Sequence, residues 1–327
     1  MAMSTIKARQ PEFIPPMKAM LVKTLPEGPE WIYEVKWDGY RALASKHGNN
    51  IQLLSLNCKS LASDFPTVVA DVRAINANTA LLDGEVVAIN AQGQPSFQVL
   101  QHRSSLGRGW HIVYYAFDLL NLEGEDLRHL PLERRKERLE TLVEGTRVRY
   151  SGPLPGSPAE IVPVLKDAGL EGVVAKRRDS TYAAGTRSTV WQKFKLSLSQ
   201  EFVIGGYNPE GKKFSSLLVG YYDSGGRLMF AGKVRQGFNP ASRLTLMKIL
   251  KPLATETCPF ANLPISKRSH FGEGITEEDM EKLQWLNPKL VAQVSFTEWT
   301  NGRLFRHATF LNLRDDKEPK EVVKERP

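Results

Sequence analysis

Cysteine is scarce: the chain of 327 residues carries two, Cys58 and Cys258. Two thiols make neither a disulfide framework nor a four-cysteine zinc site, which fits a reducing compartment. No apolar run approaches the length of a membrane span, and the opening MAMSTIKARQPEFIPP holds no apolar signal core. A cytoplasmic location (a bacterial-type cytosol or nucleoid), with no membrane partner, is therefore expected. The six histidines are scattered without metal-ligand spacing and are expected to be structural. A GxxxxGK phosphate loop is also missing, since EGKK within GYNPEGKKFS lacks the first glycine at the right spacing. That excludes a P-loop enzyme. No internal repeat is present.

What is there is basic and globular. Lysine plus arginine number 44 against 36 acidic residues, a net charge of +8. An excess of this size favours a polyanionic partner, nucleic acid being the usual one. Hydrophobic residues make up 41% and charged residues 24%, as in soluble globular proteins. The length allows two domains.

Residues 1–15 are Pro-rich and polar, and read as a flexible arm. From there to residue 198 the texture is mixed. Strand-like runs (WIYEVKW, IQLLSL, ALLDGEVVAI, HIVYYAFDLL, GVVAKR, VWQKFK) alternate with helix-like stretches (FPTVVADVRAIN, PLERRKERLETLV, SPAEIVPVLKDAG). Proline opens several of these helices, as suits a first turn. From Ser199 onward, short β segments with turn signals dominate, interrupted by one helix-like PASRLTLMKIL. Five or so strands plus a helix suggest a small antiparallel barrel of the oligonucleotide-binding type. The expected class is α+β: a first domain over 1–198 with mixed and antiparallel sheets and helices, then a barrel over 199–327 with a charged tail. The helix PLERRKERLETLV is expected to be a solvated face, and Trp191 and Trp299 are expected to pack.

One stretch raises a chemical question. EVKWDGYR, residues 34–41, sets Lys36, Asp38 and Arg41 between runs that look like buried sheet. A lysine there costs desolvation unless its charge, or the loss of it, is used. Other polar residues embedded in strand-like runs are Glu85 in DGEVV, Asp118 in AFDLL, Glu171 in EGVVAK, and Lys193 and Lys195 in WQKFK. Each alone has an ordinary explanation at a strand end or on a solvated face. Together they pair carboxylates suited to a hard divalent cation with lysines suited to phosphate, as a nucleoside triphosphate and its metal require.

In order and spacing, KWDG, SLNCK, DGEVVA, YAFDLL, EGVVAK and WQKFK, closed by FTEWTNGRLFRHATFLNLRDDK, resemble the ATP-dependent DNA ligases of the covalent nucleotidyltransferase superfamily. The likeness runs from Pro16 to Lys317 and is closest to the ligase module of bacterial end-joining ligases and their stand-alone relatives. It implies a nucleotidyltransferase domain followed by an OB-fold barrel, using ATP and magnesium, with manganese as a substitute. Lys36 would be the nucleophile that forms lysyl-AMP, its pKa lowered by partial burial, neighbouring positive charge and metal. Asp38 would orient its loop. Glu34 would bound the adenine side, Arg41 would reach ribose or phosphate, and Phe117 would stack on adenine. Glu85 and Glu171 would be the metal-site carboxylates, with Glu85 also near the ribose. Lys193 and Lys195 would neutralise phosphate. Arg314 and Lys317 would orient the leaving pyrophosphate once the barrel closes over ATP. AMP would then pass to a 5′-phosphate at a nick and be released when a 3′-hydroxyl attacks. The implied partners are nicked duplex DNA and repair proteins such as the end-binding Ku, with the chain itself a monomer.

The chain departs from the family pattern in two places. SLNC at 55–58 stands where Ser-Arg-Asn-Gly is usual, so Leu56 replaces an arginine and Cys58 a glycine; either Lys59 or a residue of the opening arm substitutes, or one step is weakened. In GKVRQGF, Arg235 and Gln236 stand where Gly-Thr is common, and Arg235, like Arg306, is a candidate DNA contact. Two other readings share some of these features. An RNA ligase or capping guanylyltransferase would use the same KxDG lysine, and a non-catalytic nucleic-acid-binding module would keep the barrel without the chemistry.

Overall fold

The computed structural model describes residues 13–101, 107, 109–196, 199–265, 274–296, 298–299 and 304–325. Two compact units divide between Leu196 and Ser197. Residues 1–12 of the expected arm lie outside the described residues. Residues 13–15 lie against the body: Phe13 and Ile14 pack against a buried cluster, and the Pro15 carbonyl accepts from Gly185 N at 2.7 Å.

The first unit is built on two sheets. One has the order β1 (Lys18–Leu21), β10 (Arg187–Lys195), β9 (Gly172–Arg177), β2 (Trp31–Lys36), antiparallel except for the β1–β10 pair. The other has the order β4 (Asn50–Ser55), β3 (Tyr40–His47), β5 (Thr79–Asn90), β6 (Trp110–Leu122), β7 (Glu125–Asp126), with β8 (Arg149–Tyr150) alongside β6. Period-two alternation decides which side chains each face carries. In β9, Val173 and Ala175 point to one face and pack with Ile161 and Leu165 of α4 (Pro158–Asp167). Pro158 opens α4, and Ser157 caps it in a reciprocal box with Glu160. In the second sheet Tyr40, Ala42, Leu82 and Val86 share one buried core with Val68 and Val72 of α1 (Pro66–Arg73) and Leu100 of α2 (Phe97–Gln101). The first helix stops short of the FPTVVADVRAIN run, where the buried Lys46 ammonium caps the Arg73 carbonyl at 2.6 Å.

A third buried cluster joins the two sheets. Ile32 and Trp191 from the first meet Leu43, Leu81 and Leu120 from the second, with Leu132 of α3 (Leu132–Val143) beside them. The sheets therefore face each other, and whatever polar side chains share those faces are brought together.

The second unit is an OB-fold barrel. Its sheet runs β13 (Leu228–Val234), β12 (Lys213–Tyr222), β11 (Ser199–Glu210), β15 (Gln284–Ser295), β14 (Ala254–Thr255), with β18 (Thr309–Leu313) also on β15. A bridge between Gln236 and Thr309 links the β13 end to β18. Helix α5 (Pro240–Leu250), capped by Asn239, lies on it, and α6 (Glu277–Met280) is one turn. A small hairpin, β16 (Glu298–Trp299) and β17 (Phe305–Arg306), adds Trp299 to an aromatic cluster with Phe202, Phe296 and Phe305. Trp191 is buried and Trp299 packed, as expected from the sequence. Among the described residues no helix is long and apolar enough to cross a membrane.

Candidate functional site

Strand register places the candidates. Across β2, β9 and β10 one rung holds Lys36, Gly172 and Lys195. The next rung on the same face holds Glu34, Val174 and Lys193, and the one after holds Ile32, Lys176 and Trp191. Directly opposed residues in antiparallel strands point to one side, so Glu34, Lys36, Lys176, Lys193 and Lys195 share the face turned toward the second sheet. There a rung of Arg41, Glu85 and Tyr115 lies two residues from Asp83. Glycine fits where these motifs need close backbone approach. A Cβ on Gly172 would sit 2.1 Å from the Phe194 carbonyl oxygen, and one on Gly39 2.1 Å from that of Val86.

Lys36 donates a hydrogen bond to Glu171, the residue just before β9, in a half-buried ion pair. This corrects the expected electrostatics. Burial pulls the lysine pKa down, but Glu171, with help from Asp38 and Glu85, outweighs it, so the ammonium form is favoured. The neighbours that raise its pKa are the carboxylates Glu171, Asp38 and Glu85. Trp37 stacks on Tyr115 at 3.8 Å between ring centroids and donates to Ser151 Oγ at 3.1 Å, fixing the residue beside the lysine.

Glu34 is buried and bridges two buried lysines, Lys136 at 2.6 Å and Lys176 at 2.9 Å. Burial lowers the Lys176 pKa, with Glu34 opposing and Lys136 adding to the fall. Lys176 Nζ sits 4.4 Å from the centroid of Phe117 and 4.3 Å from that of Trp191, and the Arg41 guanidinium lies 5.3 Å from Phe117. Phe117 is thus a half-buried ring with cations over its face. Next to it, Asp118 and Arg135 form a pair with neither side chain exposed, joined at 2.7 and 2.9 Å. The expected solvated face of PLERRKERLETLV is therefore wrong for its two central cations. Arg135 and Lys136 lie in the buried stripe of α3 with Leu132, Leu139 and Val143. They tie that helix to the site.

Arg41 is clamped on the fully buried Asp83, Nε to Oδ1 at 3.0 Å and Nη2 to Oδ2 at 2.7 Å, while Tyr182 donates to Oδ2 at 2.6 Å. Lys176, Lys136, Asp83, Tyr182 and Trp37 carry this site, and none was singled out from the sequence. Lys176 had a usable signal, since it ends an apolar strand in phase with Gly172 and Val174.

The departures in the sequence fall at the turn after β4. Cys58 is exposed and adopts φ 59°, the left-handed conformation that favours the glycine usual there. Lys59 follows it, exposed, with its amide on Ser55 Oγ at 3.1 Å. In the second unit Arg314 is buried and paired to Asp316 at 2.8 Å, Lys317 lies 3.5 Å from Glu201, Arg235 is exposed and Arg306 half-buried on β17. A groove of about 560 Å³ between Trp31, Tyr33, Leu154 and Arg178 is lined by none of the candidate residues. Among the described residues no three His, Cys, Asp or Glu side chains are grouped to hold a metal ion.

Comparison with known proteins bears on this arrangement directly. A family model described as "ATP dependent DNA ligase domain" matches residues 16–195, and one described as "ATP dependent DNA ligase C terminal region" matches residues 210–317. The chain is 38% identical, over 98% of its length, to "Multifunctional non-homologous end joining protein LigD" of Pseudomonas aeruginosa, of which it spans 38%. It is 30% identical, over 93% of its length, to "DNA ligase C1" of Mycolicibacterium smegmatis, covering 92% of that relative. Among solved structures, "mycobacterial DNA ligase D complexed with ATP and MES" is similar with TM-score 0.68 and 34% identity, covering 95% of this chain and 98% of that one. The chain thus spans under two-fifths of the length of the LigD proteins it matches and nearly the whole of the shorter ligase.

Proposed function

The chain belongs to the ATP-dependent DNA ligases, and from that premise we propose which of its residues carry the reaction and on what substrate. Lys36 Nζ attacks the α-phosphorus of ATP. A P–N bond forms as the bond to the β-phosphate oxygen breaks, and pyrophosphate leaves. The ammonium must first give up a proton, and Glu171, already in contact, is the nearest acceptor. AMP then passes to the 5′-phosphate of a nicked duplex, and attack by the 3′-hydroxyl joins the strand and releases AMP.

The single observation that carries this reading is the shared strand face on which Lys36, Lys193, Lys195 and Glu34 line up, with Glu171 on the nucleophile. Lys193 and Lys195 neutralise the phosphates. Phe117 stacks on adenine, Glu34 bounds the base and Asp38 orients the lysine loop. Arg41 takes ribose or phosphate, and Arg314 and Lys317 orient the pyrophosphate. Glu85 and Glu171, both carboxylates near Lys36, would hold a hard divalent cation. Magnesium, or manganese in its place, would supply charge neutralisation there. Lys59, Arg235 and Arg306 contact DNA, and Ku is the proposed end-joining partner.

The test is incubation with α-labelled ATP and magnesium, after pyrophosphate has stripped any bound AMP. Wild type should retain label after denaturation and Lys36→Ala should not. Equal labelling, or none in the stripped wild type, refutes the assignment. Nicked DNA against nicked RNA then fixes the substrate.

A further inference from the structure

We propose that Tyr182 is a positioning residue for Arg41, acting through Asp83, and that the backbone at Met17 completes the chain of contacts. The proposal rests on the reading of Arg41 as a substrate-binding residue of this site.

The direction of every bond in the chain is fixed by chemistry. Met17 N–H donates to the Tyr182 hydroxyl at 3.0 Å, and an amide can only donate. The hydroxyl has one proton, and it goes to Asp83 Oδ2 at 2.6 Å. Burial and the Asp83 charge together hold that phenol protonated far above its ordinary range, so it is a donor at any working pH. Asp83 is fully buried and takes the Arg41 fork on both oxygens. Without Tyr182 the carboxylate would be held from the arginine side alone.

The geometry also shows what is being aimed. Nε and Nη2 of Arg41 are committed to Asp83, and the Glu85 carboxylate adds charge attraction from the same rung. The side chain is 16% exposed, beside Phe117 and in the rung of Glu85. A guanidinium locked at two nitrogens presents the third in one direction, which is what an anionic group needs for a defined pose. Tyr182 itself is a wedge. Its ring meets Trp191 edge-on at 5.8 Å and the Arg135 guanidinium at 6.0 Å, away from the reacting atoms. Met17, with no exposure, anchors the first strand of the unit to this point, and the Ala183 amide donates to its Sδ at 3.3 Å. The entry of the chain into the fold is therefore wired to the arginine of the KWDGYR segment.

A double-mutant cycle on the full chain separates positioning from packing. In the wild-type background Tyr182→Phe should slow the step that uses Arg41, label transfer to Lys36 or nick sealing, by about tenfold, as for loss of one charge-assisted hydrogen bond. In an Arg41→Ala background the same change should cost less than twofold. Equal losses in both backgrounds would mean a structural role and overturn the proposal. A second readout needs no turnover. The Arg41 Nε–H resonance in nitrogen-15 NMR should exchange faster with solvent in Tyr182→Phe, and an unchanged rate would overturn the proposal even if the ligase reading stands. Should stripped wild type take no label, that reading fails while the resonance still decides this one. If the phenylalanine variant does not fold, 3-fluorotyrosine at 182 keeps the hydroxyl and strengthens its donation. It should then shift the Arg41 Nε–H exchange rate, and no shift would again refute the link.

Discussion

Replacing Arg135 by methionine tests how the site is held, because the arginine supports the pocket without facing it. Its guanidinium makes four hydrogen bonds: to both oxygens of Asp118, to the Leu130 carbonyl at 2.5 Å and to the Ser180 carbonyl at 2.9 Å. Neither partner of the ion pair is exposed. Arg135→Met would leave a buried carboxylate with its own-strand contact to Leu119 N and would strip two carbonyls of a donor. Breaking a buried pair from one side costs about 3–5 kcal/mol. For a unit of this size that is roughly 10 °C in Tm. Hydrogen exchange followed by unit is the assay of choice, because two units need not unfold together. Peptides from Trp110–Leu122 should lose protection while those from Lys213–Tyr222 keep theirs, the barrel serving as internal control. Asp118→Asn combined with Arg135→Met should recover at least about 1.5 kcal/mol relative to the single arginine variant. A Tm drop under 3 °C for Arg135→Met, or a double variant as unstable as the sum of the singles, would refute the account.

Other expectations follow from the same contacts. Glu171 raises the Lys36 pKa against the pull of burial, so Glu171→Gln should move the pH midpoint of Lys36 modification by an amine-reactive reagent downward, measured in chelator; no movement would mean the pair does not form in solution. Burial pushes the Asp316 carboxyl up, but its bonds to Arg314 and the charge of Lys317 outweigh that and hold it below its ordinary value. Its stabilisation should be complete above about pH 4 and fade as pH falls through the lower folded value, a dependence that Asp316→Asn should remove from the barrel's acid unfolding curve. Because Cys58 sits at φ 59°, Cys58→Gly should stabilise the first unit by up to about 1 kcal/mol, read by urea denaturation. Leu56→Arg should raise sealing at limiting nicked DNA, and no gain would count against phosphate contact as the missing function.

Much of the fold was legible because strands and helices here announce their own periods. The run WIYEVKW became β2 but for its last residue, VWQKFK became the last six of the nine residues of β10, and the charged residues inside them became the candidate site. What stayed hidden were the partners of those charges. Asp83 and Glu85 are two apart on β5, yet one is sealed against Arg41 and Tyr182 and the other half-buried near Lys36. Nothing in DGEVV distinguishes them, since the difference is made by Arg41 and by Tyr182, the latter 99 positions away. The helix PLERRKERLETLV is more instructive, because its signal was present. Leu132, Leu139 and Val143 define a buried stripe, and Arg135 and Lys136 occupy the i+3 and i+4 positions inside it. Composition pointed to solvent while phase pointed inward, and phase won because Asp118 and Glu34 were waiting as counter-charges.

That outcome also explains how the site can hold so many charges without binding them all to one another. Arg135 is matched by Asp118, and Lys136 and Lys176 share Glu34. Each of these pairs is mostly or wholly out of solvent, where a second anion would find the cation already bonded. Lys193 and Lys195 are half-buried, on the face that also carries Lys36. On the proposed reading a polyphosphate meets these two lysines beside Lys36, and the buried pairs keep a supporting role. Exchanging one role for the other should be costly in a specific way. Lys136→Met should disturb Glu34 and Lys176 and lower stability, whereas Lys193→Met should leave Tm within about 2 °C and weaken label transfer to Lys36. If Lys193→Met unfolded the protein while Lys136→Met did not, the division between structural and substrate cations would be wrong.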